Sequence, residues 1–194
     1  MAKLYFKYGA MGCSKTAQAL ITKFNYEERG MKVLLLKPAI DVRESDGLVR
    51  SRIGLTAQCI LVSEQEDLLA LYLRKKDLCD VIIVDECQFL TREQVDQLGQ
   101  VVLQHDIPVL CFGLRTDFAM HLFPGSLRLF EIAESISEIK SICRCGAKAT
   151  VNARLDDDGN VVYEGEQICI GGNNRYEAMC RRCWERRKKD QNKG

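Results

Sequence analysis

Residues 9–16, GAMGCSKT, have the outline of a phosphate-binding loop, G-x-x-x-x-G-K-[ST]. In such a loop the backbone N–H groups face the anion, while Lys15 reaches the β- and γ-phosphates and Thr16 binds Mg²⁺. Ser14 stands where the pattern has glycine, and a left-handed backbone there would cost ~1–2 kcal/mol. Three interpretations stay open: a nucleotide loop that tolerates serine, a site that has lost its chemistry, or an ordinary strand-to-helix turn. The candidate phosphate-binding residues are Gly9, Ala10, Met11, Gly12, Cys13, Ser14, Lys15 and Thr16.

A second motif, VIIVDECQF at residues 81–89, is an apolar strand that ends in two carboxylates. This is the Walker B arrangement, in which Asp85 holds Mg²⁺, directly or through water, at the carboxyl edge of the sheet. Glu86 at the strand tip is a candidate general base, because it lies within hydrogen-bond reach of a γ-phosphate. The alternative is that the two carboxylates only cap the next helix.

The cysteine spacing predicts a metal site. Cys143 and Cys145 form C-x-C, Cys180 and Cys183 form C-x-x-C, and four thiolates suit a tetrahedral structural Zn²⁺. The alternative is a set of buried or free thiols. We interpret the remaining cysteines as small hydrophobes, with the thiol in the phosphate loop as the exposed one open to oxidation. These six are Cys13, Cys59, Cys79, Cys87, Cys111 and Cys169.

The elements that position these motifs alternate between strand and helix. Apolar runs predict strands, and the amphipathic stretches between them predict helices, with Gly30 as a helix stop and Thr91 as an N-cap. The strands are expected at 3–8, 32–37, 59–62, 80–85 and 107–113, and the helices at 15–29, 64–75 and 92–104. This alternation predicts an α/β fold with a mostly parallel sheet flanked by helices.

Composition limits the remaining possibilities. A chain of 194 residues suits one main domain, expected at 1–142, and a small module at 143–194 with a basic tail. With 28 Lys+Arg and 27 Asp+Glu, bulk charge favours neither a nucleic-acid nor a membrane partner. The chain shows neither an apolar run of transmembrane length nor the long apolar region of a signal peptide, so we expect a cytoplasmic protein.

Four segments together resemble the type II thymidine kinase family, in its bacterial branch. They are the phosphate loop, DECQF at 85–89, GLRTDF at 113–118, and GGNNRY at 171–176 followed by a zinc knuckle. The resemblance implies transfer of the ATP γ-phosphate to the 5′-hydroxyl of thymidine, giving thymidine monophosphate for salvage, with deoxyuridine as a lesser substrate. It also implies a RecA-like core, a zinc-bearing lasso over the nucleoside, Mg²⁺ as cofactor, a homotetramer and feedback inhibition by thymidine triphosphate.

The resemblance also assigns residues. Glu86 matches the catalytic base, and Asp85 matches the Walker B carboxylate. A further set matches positions near ATP and Mg²⁺: Asp41 and Arg43 in AIDVR, with Cys87 and Gln88 in DECQF. The nucleoside-binding positions are Phe89, Phe118, Ile168, Cys169, Ile170, Gly171, Gly172 and Tyr176. Aromatic rings and lasso backbone would recognise thymine by its shape.

Three departures from the family pattern stand out: Ser14, the segment AMH at 119–121 in place of Arg-Gly-Glu, and Cys183 in place of histidine. The cysteine keeps a zinc ligand. The other two leave open a nucleotide-binding relative of low activity. A second alternative is a nucleic-acid-dependent ATPase, since DECQ also resembles a helicase box, but the chain is too short for two RecA-like domains.

Overall fold

A six-stranded parallel sheet forms the centre of the molecule. The computed structural model describes residues 1–39, 47–167 and 175–191. The strands follow the order β5-β2-β6-β7-β1-β8, and every pairing between neighbours is parallel. The elements of this core are, in chain order, β1 Leu4–Gly9, α1 Lys15–Glu27, β2 Val33–Pro38, β3 Leu48–Arg50, β4 Thr56–Gln58, β5 Ile60–Val62, α2 Leu68–Lys75, β6 Val81–Val84, α3 Arg92–His105, β7 Val109–Gly113, α4 Pro124–Ile132 and β8 Ser135–Ile139.

Helices cover both faces of the sheet because the central strands are apolar on both sides. In β6 all four residues are buried; Ile82 and Val84 face the helices α2, α3 and α4, and Val81 and Ile83 face α1. The short antiparallel hairpin β3–β4 packs on the α1 side through Val49. The predicted α/β fold with a parallel sheet is therefore confirmed.

Local signals set several helix boundaries. Thr91 caps α3 in a reciprocal capping box with Gln94, as its sequence predicts. The first helix ends at Glu27, earlier than expected, and Gly30 follows in a turn with φ 77°. The sequence reading missed α4 and the edge strand β8, which completes the sheet beside β1.

A smaller C-terminal module packs against this core. Its elements are β9 Ser141–Ile142, β10 Lys148–Ala149, β11 Val151–Leu155, β12 Val161–Val162, β13 Arg175–Met179 and α5 Arg181–Gln191. The strands form a two-stranded sheet, β10–β9, and an antiparallel sheet in the order β12-β11-β13. Trp184 of α5 packs with Tyr163 and Met179 in an apolar cluster of the module's own. Across the described ranges, no helix is long and apolar enough to cross a membrane.

Candidate active site

The phosphate loop joins the end of β1 to the start of α1. Ser14 has φ 65° and ψ 27°, so it occupies the left-handed conformation for which the pattern uses glycine. Gly12 in the same loop is also left-handed, with φ 73°. The backbone geometry of a phosphate loop is thus present, and serine adopts it at a cost of about 1 kcal/mol.

Lys15 folds back over its own loop. Its side chain is buried, and Nζ donates to the carbonyl oxygens of Ala10 (3.0 Å) and Gly9 (3.4 Å). A Cβ on Gly9 would collide with Cys13 Sγ and with the carbonyl oxygen of Ile139, so only glycine fits there. Cys13 is itself 6% exposed, and the expectation of an exposed thiol at this position was wrong because the loop wraps around it.

Asp85 is a buried carboxylate at the end of β6. Burial raises its pKa to about 7, the neighbouring charge of Glu86 adds to the rise, and the Thr16 hydroxyl and Lys15 partly offset it. Its Oδ1 atom is buried and has no hydrogen-bond partner within the described residues. An unpaired carboxylate oxygen beside a threonine hydroxyl is a donor set that suits Mg²⁺.

Glu86 follows in a left-handed conformation, with φ 54°, which turns its side chain away from the strand direction. Gln88 orients it: Nε2 donates to Glu86 Oε2 at 2.6 Å, and Oε1 accepts the N–H of Leu114 at 3.0 Å. The carboxylate therefore has a fixed position set by the end of β7. The side chain of Cys87 instead packs in the apolar core and does not reach the site.

One cavity of about 210 Å³ brings these groups together. Lys15, Thr16 and Glu86 all line it, as does Leu114. The sequence reading missed its opposite wall, which is formed by the β3–β4 hairpin. That wall consists of Arg50, Ser51, Arg52 and Ile53. Two arginines within RSR, in a stretch without an assigned element, were the signal that could have found it.

The expected nucleoside residues divide between two places. Phe89 packs edge-on against Phe123 at 5.4 Å between ring centroids, and both line a larger cavity of about 560 Å³ that Gln167 also borders. Phe118 is fully buried instead, with the guanidinium carbon of Arg154 3.7 Å from its ring centroid. Tyr176 lies on β13, directly opposite Arg154 in the strand register.

Several expected site residues lie outside the described residues: Asp41, Arg43, Ile168, Cys169, Ile170, Gly171 and Gly172. The segment AMH is described and has a local explanation. Asp117 Oδ1 accepts the N–H groups of Ala119 and His121, which folds the segment into a turn and places Met120 at φ 67°. Asp117 Oδ2 accepts a hydrogen bond from Gln167 at 3.0 Å, so the turn also holds the chain at Gln167.

The four paired cysteines converge at one end of the C-terminal module. The Sγ atoms of Cys143, Cys145, Cys180 and Cys183 all lie within 4.8 Å of one another. Burial opposes ionisation of Cys143, but backbone N–H groups of Cys145 and Cys180 lower its pKa to about 7. Four sulfurs bound to one Zn²⁺ at ~2.3 Å would be separated by about 3.8 Å, so the cluster suits a structural zinc ion without an open position.

A loop with the backbone geometry of a phosphate-binding turn, a carboxylate suited to magnesium and an oriented second carboxylate are typical of a P-loop phosphotransferase. Comparison with known proteins narrows this class. The family model "Thymidine kinase" matches residues 2–184. The thymidine kinase of Legionella pneumophila (strain Lens) is 48% identical over 192 residues, which is 96% of this chain and 90% of that protein. The thymidine kinases of Yersinia pestis (47% over 184 residues; 94% of each chain) and Vibrio cholerae (48% over 183; 93% and 95%) are similarly close. The chain belongs to the thymidine kinase family.

Proposed function

We propose that this protein is an ATP-dependent thymidine kinase that transfers the γ-phosphate of ATP to the 5′-hydroxyl of thymidine, with deoxyuridine as a lesser substrate. The observation that carries the proposal is the single cavity lined by Lys15, Thr16 and Glu86. A group that holds phosphates and a group that takes a proton must border the same space for this reaction. The family match over residues 2–184 supports thymidine as the acceptor.

Glu86 acts as the general base in this proposal. Its carboxylate accepts the proton of the 5′-hydroxyl as that oxygen bonds to the γ-phosphorus, and the bond from this phosphorus to the β,γ-bridging oxygen breaks to release ADP. The hydrogen bond from Gln88 fixes the carboxylate, so the base does not have to be ordered during the reaction. Lys15 exchanges its loop carbonyls for phosphate oxygens when ATP binds.

Asp85 and Thr16, together with Asp41, are the proposed magnesium-binding residues. The buried Oδ1 of Asp85, which has no hydrogen-bond partner in the ranges that the structure describes, supports this assignment. Bound there with ATP, Mg²⁺ would neutralise phosphate charge. The remaining assignments, Arg43 to the phosphates and Phe89, Phe118, Tyr176 and residues 168–172 to the nucleoside, stay part of the proposal. The cavity of about 560 Å³ is lined by Phe89, Phe123 and also by Gln88, whose side chain holds Glu86. It supports a nucleoside pocket next to the proposed base.

The cysteine cluster is the proposed structural zinc site. We expect zinc to hold both ends of the segment 146–179, which reduces the entropy of ordering the lasso over the nucleoside. Cys183→Ser should therefore raise KM for thymidine much more than KM for ATP, and metal analysis should find about one zinc per chain in the parent. Cys59→Ser, which removes a thiol outside the cluster, is the control. An active parent without zinc would contradict the proposal, and an equal rise in both KM values would assign the zinc to support of the core.

Regulation and assembly are also proposed from the family. Thymidine triphosphate carries both a nucleoside and a triphosphate, so it would occupy the two cavities at once and inhibit the enzyme.

A homotetramer is supported by apolar side chains on α1 and the hairpin that face solvent, namely Ile21 (47% exposed), Phe24 (57%) and Leu55 (38%). Light scattering on Phe24→Lys, with Leu103→Lys on α3 as a control for an exposed apolar site, tests that face. A smaller mass for the first variant alone is expected, and an unchanged mass contradicts this use of the face. A cytoplasmic location completes the proposal.

The decisive experiment compares two nucleoside acceptors with single-stranded DNA. Purified protein with ATP and Mg²⁺ is assayed for ADP formation with thymidine, with deoxyuridine and with single-stranded DNA, and the nucleoside monophosphate is identified by chromatography. We expect thymidine-dependent ADP formation with one monophosphate per ADP. ADP formation that depends on DNA would establish a nucleic-acid-dependent ATPase. Binding of both substrates without turnover would establish a low-activity nucleotide-binding relative.

A further inference from the structure

Strand β11 has a polar face that is buried against the kinase core. Its sequence, VNARL, alternates, and successive side chains of a strand point to opposite faces. Val151 and Ala153 lie in the apolar cluster of the C-terminal module. Asn152 (3% exposed) and Arg154 (7% exposed) point the other way, towards the phosphate loop and Phe118. Two buried polar side chains on one face indicate an interface with a specific role.

Asn152 connects the module to the phosphate loop. Its Oδ1 accepts the N–H of Met11 at 2.7 Å, and its Nδ2 donates to the carbonyl oxygen of Thr116 at 2.8 Å. An amide side chain supplies a donor and an acceptor together, which neither aspartate nor an apolar residue of the same size does. The strained Ser14 lies three residues after Met11, and strained backbone persists only where its surroundings hold it. The Asn152 bridge is one such restraint.

Arg154 connects the same strand to a different part of the site. Its guanidinium covers the ring of Phe118, and it donates to the carbonyl oxygens of Glu166 (3.1 Å) and Glu164 (3.4 Å). No carboxylate pairs with it in the part of the chain that the structure describes. A buried cation held by a ring and two carbonyls has a defined position. It fixes the chain at 164–166 relative to Phe118.

We propose that Asn152 and Arg154 are positioning residues that connect the C-terminal module to the two substrate sites separately, Asn152 to the phosphate loop and Arg154 to the nucleoside side. The Arg154 half rests on the proposed function, because it takes Phe118 as a nucleoside-binding residue. The two residues lie on one strand and are both buried, so a general loss of packing would affect both sites alike. Separate effects on the two substrates therefore distinguish positioning from a merely structural role.

The test measures KM for each substrate and, by calorimetry, the affinity for ATP alone and for thymidine alone. Asn152→Leu keeps the branched shape and the number of side-chain heavy atoms and Asn152→Ala does not, but both remove the two hydrogen bonds. Both variants should weaken ATP binding about tenfold and leave the affinity for thymidine within roughly twofold of the parent value. Arg154→Met should weaken thymidine binding about tenfold and leave the affinity for ATP within roughly twofold of the parent value. Arg154→Lys should recover only part of the lost thymidine affinity, because an ammonium does not replace the planar guanidinium. Asn160→Ala and Lys189→Met, two changes at exposed polar residues of the module outside the cysteine cluster, are the controls.

Zinc content and melting temperature are measured on every variant. Parallel losses for both substrates in the Asn152 and Arg154 variants, in proportion to lower melting temperatures, would overturn the proposal. So would unchanged binding of ATP by both Asn152 variants. A parent that binds both ligands but forms no thymidine monophosphate would contradict the proposed function alone, since the calorimetric comparison still decides the roles of the two residues.

Discussion

Two turns at the carboxyl edge of the sheet have the same construction. The turn after β1 enters a helix through Ser14, the turn after β6 enters a short 3₁₀ turn through Glu86, and both residues are left-handed, with φ 65° and 54°. Each turn also buries a charged group, Lys15 in the first and Asp85 in the second. Only β7 separates the two strands in the sheet.

The difference lies in how each buried charge is satisfied. The ammonium of Lys15 has carbonyl partners in its own loop. Asp85 Oδ1 has no hydrogen-bond partner among the described residues, and the pKa of this carboxyl group is raised to about 7 by burial and by the charge of Glu86. The ammonium of the first turn is satisfied by hydrogen bonds to its own loop, whereas Thr16 and Lys15 only partly offset the cost of burying the carboxylate of the second. Three predictions test this contrast.

The largest expected effect is at Glu86. Replacing it with glutamine removes the base but keeps the size of the side chain, so kcat should fall by about 10²–10⁴ while ATP affinity is retained. Rapid-mixing measurements of kcat and calorimetric titration of ATP check the two parts. If kcat falls only a few-fold, another residue acts as the general base, and Asp41 is the next candidate.

The second prediction concerns Asp85 and pH. Between its ordinary value of 3.8 and about 7, folded Asp85 keeps a proton that the unfolded chain has released, so stability without Mg²⁺ falls as pH rises through this window. Asp85→Asn should remove that loss and melt roughly 5 °C above the parent at pH 8 without magnesium, with a smaller difference at pH 5. Its activity should fall about 10–100-fold.

Melting curves at several pH values, with and without Mg²⁺, provide the measurement. Magnesium should stabilise the parent above pH 7 and have little effect on Asp85→Asn. A parent whose melting temperature rises steadily from pH 5 to pH 8 without magnesium would show that Asp85 is already satisfied.

The smallest effect is expected at Ser14. Glycine relieves the left-handed strain, so kcat/KM for ATP should rise several-fold, consistent with ~1 kcal/mol. Asp106→Gly is the matched control, because Asp106 is also left-handed, with φ 54°, but ends α3 far from the phosphate loop. Equal or lower activity in Ser14→Gly would mean that the loop is adapted to serine.

The core and the two turns could be predicted because their signals are local. The buried strand before Asp85 is a continuous apolar run, and Thr91 carries its capping partner three residues later. The edge strand β8 was missed because SISEI is half exposed and depends on pairing with β1. Arg52 lines the same cavity as the phosphate loop, and Asn152 hydrogen-bonds that loop, through tertiary placement that no sequence period encodes.

The raised pKa of Asp85 also links metal binding to proton release. Near pH 6 most molecules carry a proton on this carboxyl group, and a cation that binds there displaces it. As pH rises towards 7, the affinity for magnesium should therefore increase by up to about tenfold per pH unit. The heat of Mg²⁺–ATP binding should then vary with the ionisation enthalpy of the buffer, and the part of that slope that is lost in Asp85→Asn counts the protons released by this side chain.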